Sequence, residues 1–168
     1  MDPTRLSHEL RNGRSDDLTR RRWIIGLSLF NAAIGGVVGA YQTGIIKHLP
    51  DPPGPFDSDR VDASDYGYKR LNTPDGLLMT ITFAVTAALA ASGGRDRAED
   101  NPAVPIALAA KSLYDVATAF KLAAEEWEGN KALCAYCQVA TVASVIAAGL
   151  ALPEASRAGR ALLEQSRS

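Results

Sequence analysis

The chain contains two cysteines, and they stand three positions apart, in Leu133-Cys134-Ala135-Tyr136-Cys137-Gln138-Val139-Ala140-Thr141. Residues at i and i+3 of a helix share a face, so the two sulfurs lie close enough to bridge. In the first turn of such a helix, the exposed N–H groups and the positive end of the dipole favour thiolate over thiol at Cys134. A thiolate is the species that attacks a disulfide or an electrophilic quinone. Cys134 and Cys137 are therefore read as catalytic, cycling between dithiol and disulfide. Two cysteines cannot build a disulfide framework, and no further Cys/His cluster completes a zinc site, so no metal is expected.

The elements that must position this pair are apolar. Leu133 to Leu152 carries no charge over twenty residues, which as a helix reach roughly 30 Å, the thickness of a bilayer's hydrocarbon. Trp23 to Ile46 is likewise uncharged, with Trp23 and Tyr41 placed like interfacial anchors. Its Gly35, Gly36 and Gly39 would let a neighbouring helix come close. Two weaker segments lie between them: 76–92, which is short, and 102–124, which carries Lys111, Asp115 and Lys121. The expected architecture is all-α, a four-helix transmembrane bundle with spans at about 23–46, 76–92, 102–124 and 133–152. Polar tails of 1–22 and 153–168 flank it, with Pro153 ending the last helix. An Ala-rich soluble bundle would also show apolar segments; the uncharged lengths of the first and last segments argue against it.

Four spans put both tails on one side. The tails and the 93–101 loop carry eleven Arg and Lys, against five for Lys47, Arg60, Lys69, Arg70 and Lys131 on the other side. The positive-inside bias predicts cytoplasmic termini in a bacterial inner (cell) membrane, multi-pass, with the cysteine mouth facing the oxidising outside. Met1 to Arg22 is charged throughout, so no cleavable signal is expected. A net charge of −1 implies no basic face and no nucleic-acid partner. Membrane lipid is the expected surrounding. The 47–75 connection, with Pro50 to Pro55 and then Asp57, Asp59, Asp62 and Asp65, reads as one long outer loop between the first two helices. Its length makes it a candidate for function, and its acids are expected in water.

With these features the chain resembles the vitamin K epoxide reductase family, four-helix membrane thiol oxidoreductases that couple quinone reduction to disulfide formation. The matching residues are Leu133-Cys134-Ala135-Tyr136-Cys137 opening the last span, Asn130 before it, and Val61-Asp62-Ala63-Ser64-Asp65-Tyr66 followed by Thr73-Pro74. The order of spans fits as well, over about residues 20 to 153. The resemblance implies that Cys137 lies against the quinone and forms the charge-transfer or covalent adduct, while Cys134 exchanges with a loop disulfide. It implies that Ser64 donates a hydrogen bond to the quinone oxygen, and that Thr141 stands where the quinone-binding aromatic is often found. The substrate would be ubiquinone or menaquinone.

The departures from the family carry equal weight. Its complete relay has a second cysteine pair in the outer loop; this loop has none, and Ser58 lies about where one would be expected. Two readings follow. Either a thioredoxin-like thiol protein delivers electrons directly to Cys134, or the protein is a non-catalytic subunit packed against other membrane subunits in a larger complex. Lys111 and Asp115 share a helix face; they are a candidate proton route, or a buried pair fixing helix packing. His8 and His48 read as solvated, Trp127 and Tyr136 as interface anchors, and the scattered acids as lacking the fixed geometry of a cation site.

Overall fold

The computed structural model describes residues 2–166; Arg167, counted above with the basic tail, lies outside the described residues. The helices are α1 (Pro3–Asn12), α2 (Asp16–Gln42), α3 (Ser58–Asp62), α4 (Asp75–Ala91), α5 (Arg97–Asp100), α6 (Ala103–Asn130) and α7 (Ala135–Gln165), with one 3₁₀ turn at Asp65–Tyr68. Among the described residues there is no strand. Ser15 starts α2: its Oγ accepts the Leu18 N–H at 3.1 Å, and Asp16 and Asp17 complement the positive helix end.

The bundle is α2, α4, α6 and α7. Helices α2 and α4 are packed most closely, because glycines face each other: a Cβ on Gly35 would lie 2.7 Å from the Gly76 carbonyl oxygen, and one on Gly76 would strike the Gly39 backbone. Gly36, expected to share that role, faces open space. Inside, the bundle is filled by small residues, among them Ala90, Ala109, Ala140, Ala147 and Ala151. Outside it carries exposed Trp23, Phe30, Ile81, Phe120, Val142 and Ile146. A bundle with its small side chains inward and its large apolar ones outward is packed for lipid, where close backbone approach holds helices together. Helices α2, α6 and α7 are each long and apolar enough to cross a membrane, and α4 is a shorter apolar companion.

Three expectations are corrected. Pro153 does not end the last helix, because α7 runs through it to Gln165. A proline removes one hydrogen bond from the ladder, and the turn beyond is held instead by Glu154, whose carboxylate receives Arg21 and Arg97. The residues before Trp23 are not merely a polar tail: α2 begins at Asp16, and Arg21 is 1% exposed. Arg97, counted as a loop charge, is equally buried. Arg21 Nε and Arg97 Nε lie 3.0 and 2.9 Å from Glu154 Oε1, and Arg97 Nη2 lies 2.9 Å from Oε2. The spare guanidinium protons go to carbonyls of Gly94 and of Leu89 at the C-terminal end of α4, where the helix dipole is negative.

The 47–75 segment is likewise a folded cap with few of its acids simply solvated. Asp51 holds the Ser58 N–H and hydroxyl at 2.6 Å each, Asp57 caps α3, and Asp59 accepts the Leu49 N–H at 2.8 Å and pairs with His48 at 2.5 Å. Gln42 at the end of α2 ties the cap down, bonding the Asp62 and Gly67 carbonyls and the Gly76 N–H.

Candidate functional site

Helix α6 ends with Lys131 in the left-handed conformation (φ 53°), and after a turn of three residues Cys134 becomes the N-cap of α7. Its Sγ accepts the Cys137 N–H at 3.3 Å, which aims one of the helix's unpaired donors at the sulfur. Both cysteines are free thiols; Cys134 is fully buried and Cys137 partly so.

The cap segment seals Cys134. Phe56 and Leu133 form an isolated bridge, with Asp57 N–H donating to the Leu133 carbonyl at 3.1 Å and Leu133 N–H to the Pro55 carbonyl at 3.0 Å. Ser58 Oγ accepts the Ala135 N–H at 3.0 Å, and the Tyr136 hydroxyl donates to the Pro50 carbonyl at 3.1 Å. From below, Glu126 of α6 accepts the Cys134 N–H at 3.3 Å. Ser58, where the family's loop cysteine was expected, thus sits against the first residue after Cys134.

Cys137 faces the other way, onto a cavity of about 270 Å³ between α4, α6 and α7. Most of its wall is apolar, including Val38, Leu78, Met79, Phe83 and Leu122. Around Cys137 the polar lining is Asp62, Tyr66, Arg70, Asp75, Glu126 and Gln138, and Thr82, Tyr114, Asp115, Thr118 and Ser144 add polar groups elsewhere on the wall. Tyr66 stacks beneath Arg70, 5.5 Å from ring centre to guanidinium, and donates to the Leu122 carbonyl at 3.1 Å. Burial, opposed by Arg70, pushes its phenol up to about 12, so the ring stays neutral. Arg70 is itself paired with Asp75.

Of the residues singled out from sequence, Cys137 and Thr141 share the cavity wall, with the Thr141 hydroxyl donating to the Cys137 carbonyl at 2.8 Å. Ser64 is not brought there: its hydroxyl donates to the Val61 carbonyl at 2.6 Å, and it is absent from the wall. Lys111 and Asp115 pair at 2.6 Å, and Lys111 also donates to Thr86 and Thr82 at 2.8 and 3.2 Å, bolting α6 to α4. Asp115 reaches the wall; Lys111 does not. Sequence reading missed Glu126, Arg70 and Gln138. It held Asp62 and Tyr66 only as part of a motif, although both lie two residues from Ser64 and so could have been weighed with it.

A model of the vitamin K epoxide reductase family matches residues 22–152, more than three quarters of the chain. Neither a curated protein nor a solved structure gives a match. The matched range begins beside the buried Arg21, covers α4 and α6 whole and most of α2 and α7, and takes in the cap, the cysteine mouth and the cavity, and on that evidence the chain is an all-α membrane protein belonging to the vitamin K epoxide reductase family.

Proposed function

We propose that the protein is a thiol:quinone oxidoreductase in which Cys134 and Cys137 pass two electrons to a ubiquinone or menaquinone held against Cys137. The observation that carries this reading is the placement of one thiol on the wall of an apolar cavity with a polar end, and of its partner one helical turn behind it. A flat quinone ring suits such a pocket: apolar walls take its body, and the polar end offers hydrogen-bond partners to a ring oxygen placed there. In each cycle two S–H bonds break, one S–S bond forms, and two electrons and two protons convert quinone to quinol. The quinone oxygen gains negative charge as it is reduced, and a donor in a dry site is worth most there. With Ser64 spent on Val61, that role falls in this reading to the Gln138 amide and the Arg70 guanidinium, with Thr141 shaping the wall.

Because the cap has no cysteines, the donor to the oxidised pair is a thioredoxin-like thiol protein acting on Cys134. The charge count supports the orientation with both termini cytoplasmic in a bacterial cell membrane and the cysteine mouth outside. The test is reduction of a short-chain quinone by purified protein in lipid nanodiscs with a dithiol donor. Activity lost in both Cys137→Ala and Cys134→Ala supports the reading, and wild-type protein that reduces no quinone sinks it.

A second reading has one observation in its favour. Ser58 stands against Cys134 with its hydrogen bonds satisfied, as if the exchange partner had been replaced by a structural clamp. In that case the chain is a non-catalytic subunit, and it should co-purify stoichiometrically with other membrane proteins while Cys134→Ala is harmless.

A further inference from the structure

Beside the two thiols lies a carboxylate that the reading above does not use. Asp62, in the last turn of α3, is 4% exposed, and its Oδ2 has no hydrogen-bond partner among the described residues. One of its carboxylate oxygens, Cys134 Sγ and Cys137 Sγ all lie within 4.8 Å of one another. The other acids around it each hold a partner: Asp51 has Ser58, Asp59 has Leu49 and His48, Asp75 has Arg70 on Oδ2 although its buried Oδ1 is also unpartnered, and Glu126 has the Cys134 N–H. A buried carboxylate oxygen without a donor is costly; the groups this carboxylate meets are the two sulfurs, Cys134 giving it a hydrogen bond, and the cavity wall, of which it is part.

Resting on the function proposed above, we propose that Asp62 is the proton acceptor of the thiol pair: it takes the Cys134 proton as the disulfide forms and returns it to the quinone. Over one turnover the Cys134 S–H and Cys137 S–H bonds break and the S–S bond forms, so the sulfurs are oxidised by two electrons and the quinone is reduced by the same two. The Cys134 proton moves to Asp62, which as a carboxylic acid on the cavity wall gives it to one quinone oxygen. The Cys137 proton, already at the wall, goes to the other. Asp62 ends as it began.

The surroundings suit that task. Burial pushes the Asp62 carboxyl up to about 6, against a lowering contact with Cys134 and with Asp75, Asp51 and Asp59 raising it further. Tyr66 and Arg70 face the same polar end of the cavity, and Glu126 approaches from α6. At neutral pH the group is a carboxylate, able to accept, yet close enough to its midpoint to give the proton back. The position is held firmly: Val61 packs with Cys134 and Ala132, and Gln42 holds the Asp62 carbonyl.

The test compares full-length wild type, Asp62→Asn and Asp62→Glu in nanodiscs, with dithiothreitol and decylubiquinone as probes. Asp62→Asn should lower kcat at pH 7 by about a hundredfold, leave the quinone KM within twofold, and abolish an acid limb near pH 6 that Asp62→Glu retains. A time-resolved infrared difference spectrum, started by oxidising the thiol pair with diamide in the absence of quinone, should show a carboxylic-acid band rising as the Cys134 proton reaches Asp62, and that band should be missing in Asp62→Asn. Wild-type kcat and an unchanged acid limb in Asp62→Asn would overturn the inference, as would persistence of the infrared band. Should wild type reduce no quinone, the function itself fails, and the infrared band alone decides whether Asp62 exchanges a proton with the sulfurs.

Discussion

In the C-terminal part of α7, about three turns before its end, Glu154 sits between Arg21 and Arg97, and every face of the carboxylate is met by a guanidinium fork. About thirty ångströms away at the other end, Asp62 is equally buried and faces two thiols, with no cation or N–H on its outer oxygen. The first carboxylate joins three stretches far apart in sequence, at α2, α5 and α7, and leaves nothing over for a ligand. The second stands at a cavity wall. The same chemical group is a fastener where its hydrogen bonds are complete and a reactive centre where they are not, and burial alone does not tell the two apart.

Neutralising each carboxylate with its isosteric amide should break the symmetry in opposite directions. Glu154→Gln leaves two buried guanidinium groups facing an amide that cannot balance them. Removing one partner of a buried ion pair typically costs about 3–5 kcal/mol, so the midpoint of unfolding in detergent should fall sharply. Protease sensitivity should appear first at the 93–101 connection, where Arg97 is anchored. A Glu154→Gln protein as stable as wild type would mean that the triad does not close this end.

Asp62→Asn should do the reverse. The folded-state pKa of about 6 lies above the ordinary aspartate value of about 3.9, so between these pH values the folded protein holds more protons than the unfolded chain. Stability contributed by this group is therefore present at low pH and lost as pH rises through about 6. The amide carries no charge to desolvate, and the variant should match wild type near pH 4 and exceed it by on the order of 2 kcal/mol at pH 8. Unfolding midpoints of the two proteins across that range measure it; curves that stay parallel would mean Asp62 is not a strained carboxylate. A variant more stable but less active is the pattern expected of a group kept for chemistry.

How much of this contrast was legible beforehand depends on the range of the contacts. The Cys-x-x-Cys at a helix mouth and the uncharged spans are local patterns, and α2 and α7 follow them. Arg97 was counted as a loop charge because its partner, Glu154, is 57 residues away and nothing local marks the pairing. Pro153 reads as a stop by the same local logic, which the buried Glu154 next to it overrides. Asp62 stood in an acid-rich run that composition assigns to water; only the folding of that run over α7 places one acid among the sulfurs while its neighbours cap, clamp or face outward. At Ser64 the motif carries over a position but not the direction of its side chain, whose hydroxyl donates to the Val61 carbonyl here.

The smallest expected effect concerns the lid between the two readings of function. Ser58 Oγ accepts the buried Ala135 N–H and donates to Asp51, so Ser58→Ala leaves both without that partner. Each of these hydrogen bonds is worth about 1 kcal/mol net, so at least that is lost, too little to unfold the protein but enough to raise the population of a lifted cap. If Cys134 is reached by lifting the cap, its labelling rate follows that population. A loss of about 1 kcal/mol then means roughly fivefold faster alkylation of Cys134 by a membrane-impermeant maleimide. Cys137 opens onto the cavity and should change much less, so the ratio of the two rates isolates the cap. An exchange partner reaching Cys134 would benefit by the same factor, raising the rate of reduction by an external dithiol protein. Equal labelling in Ser58→Ala and wild type would mean that Cys134 is reached by a route other than the cap, and the comparison of a closed end with an openable one would have to be withdrawn.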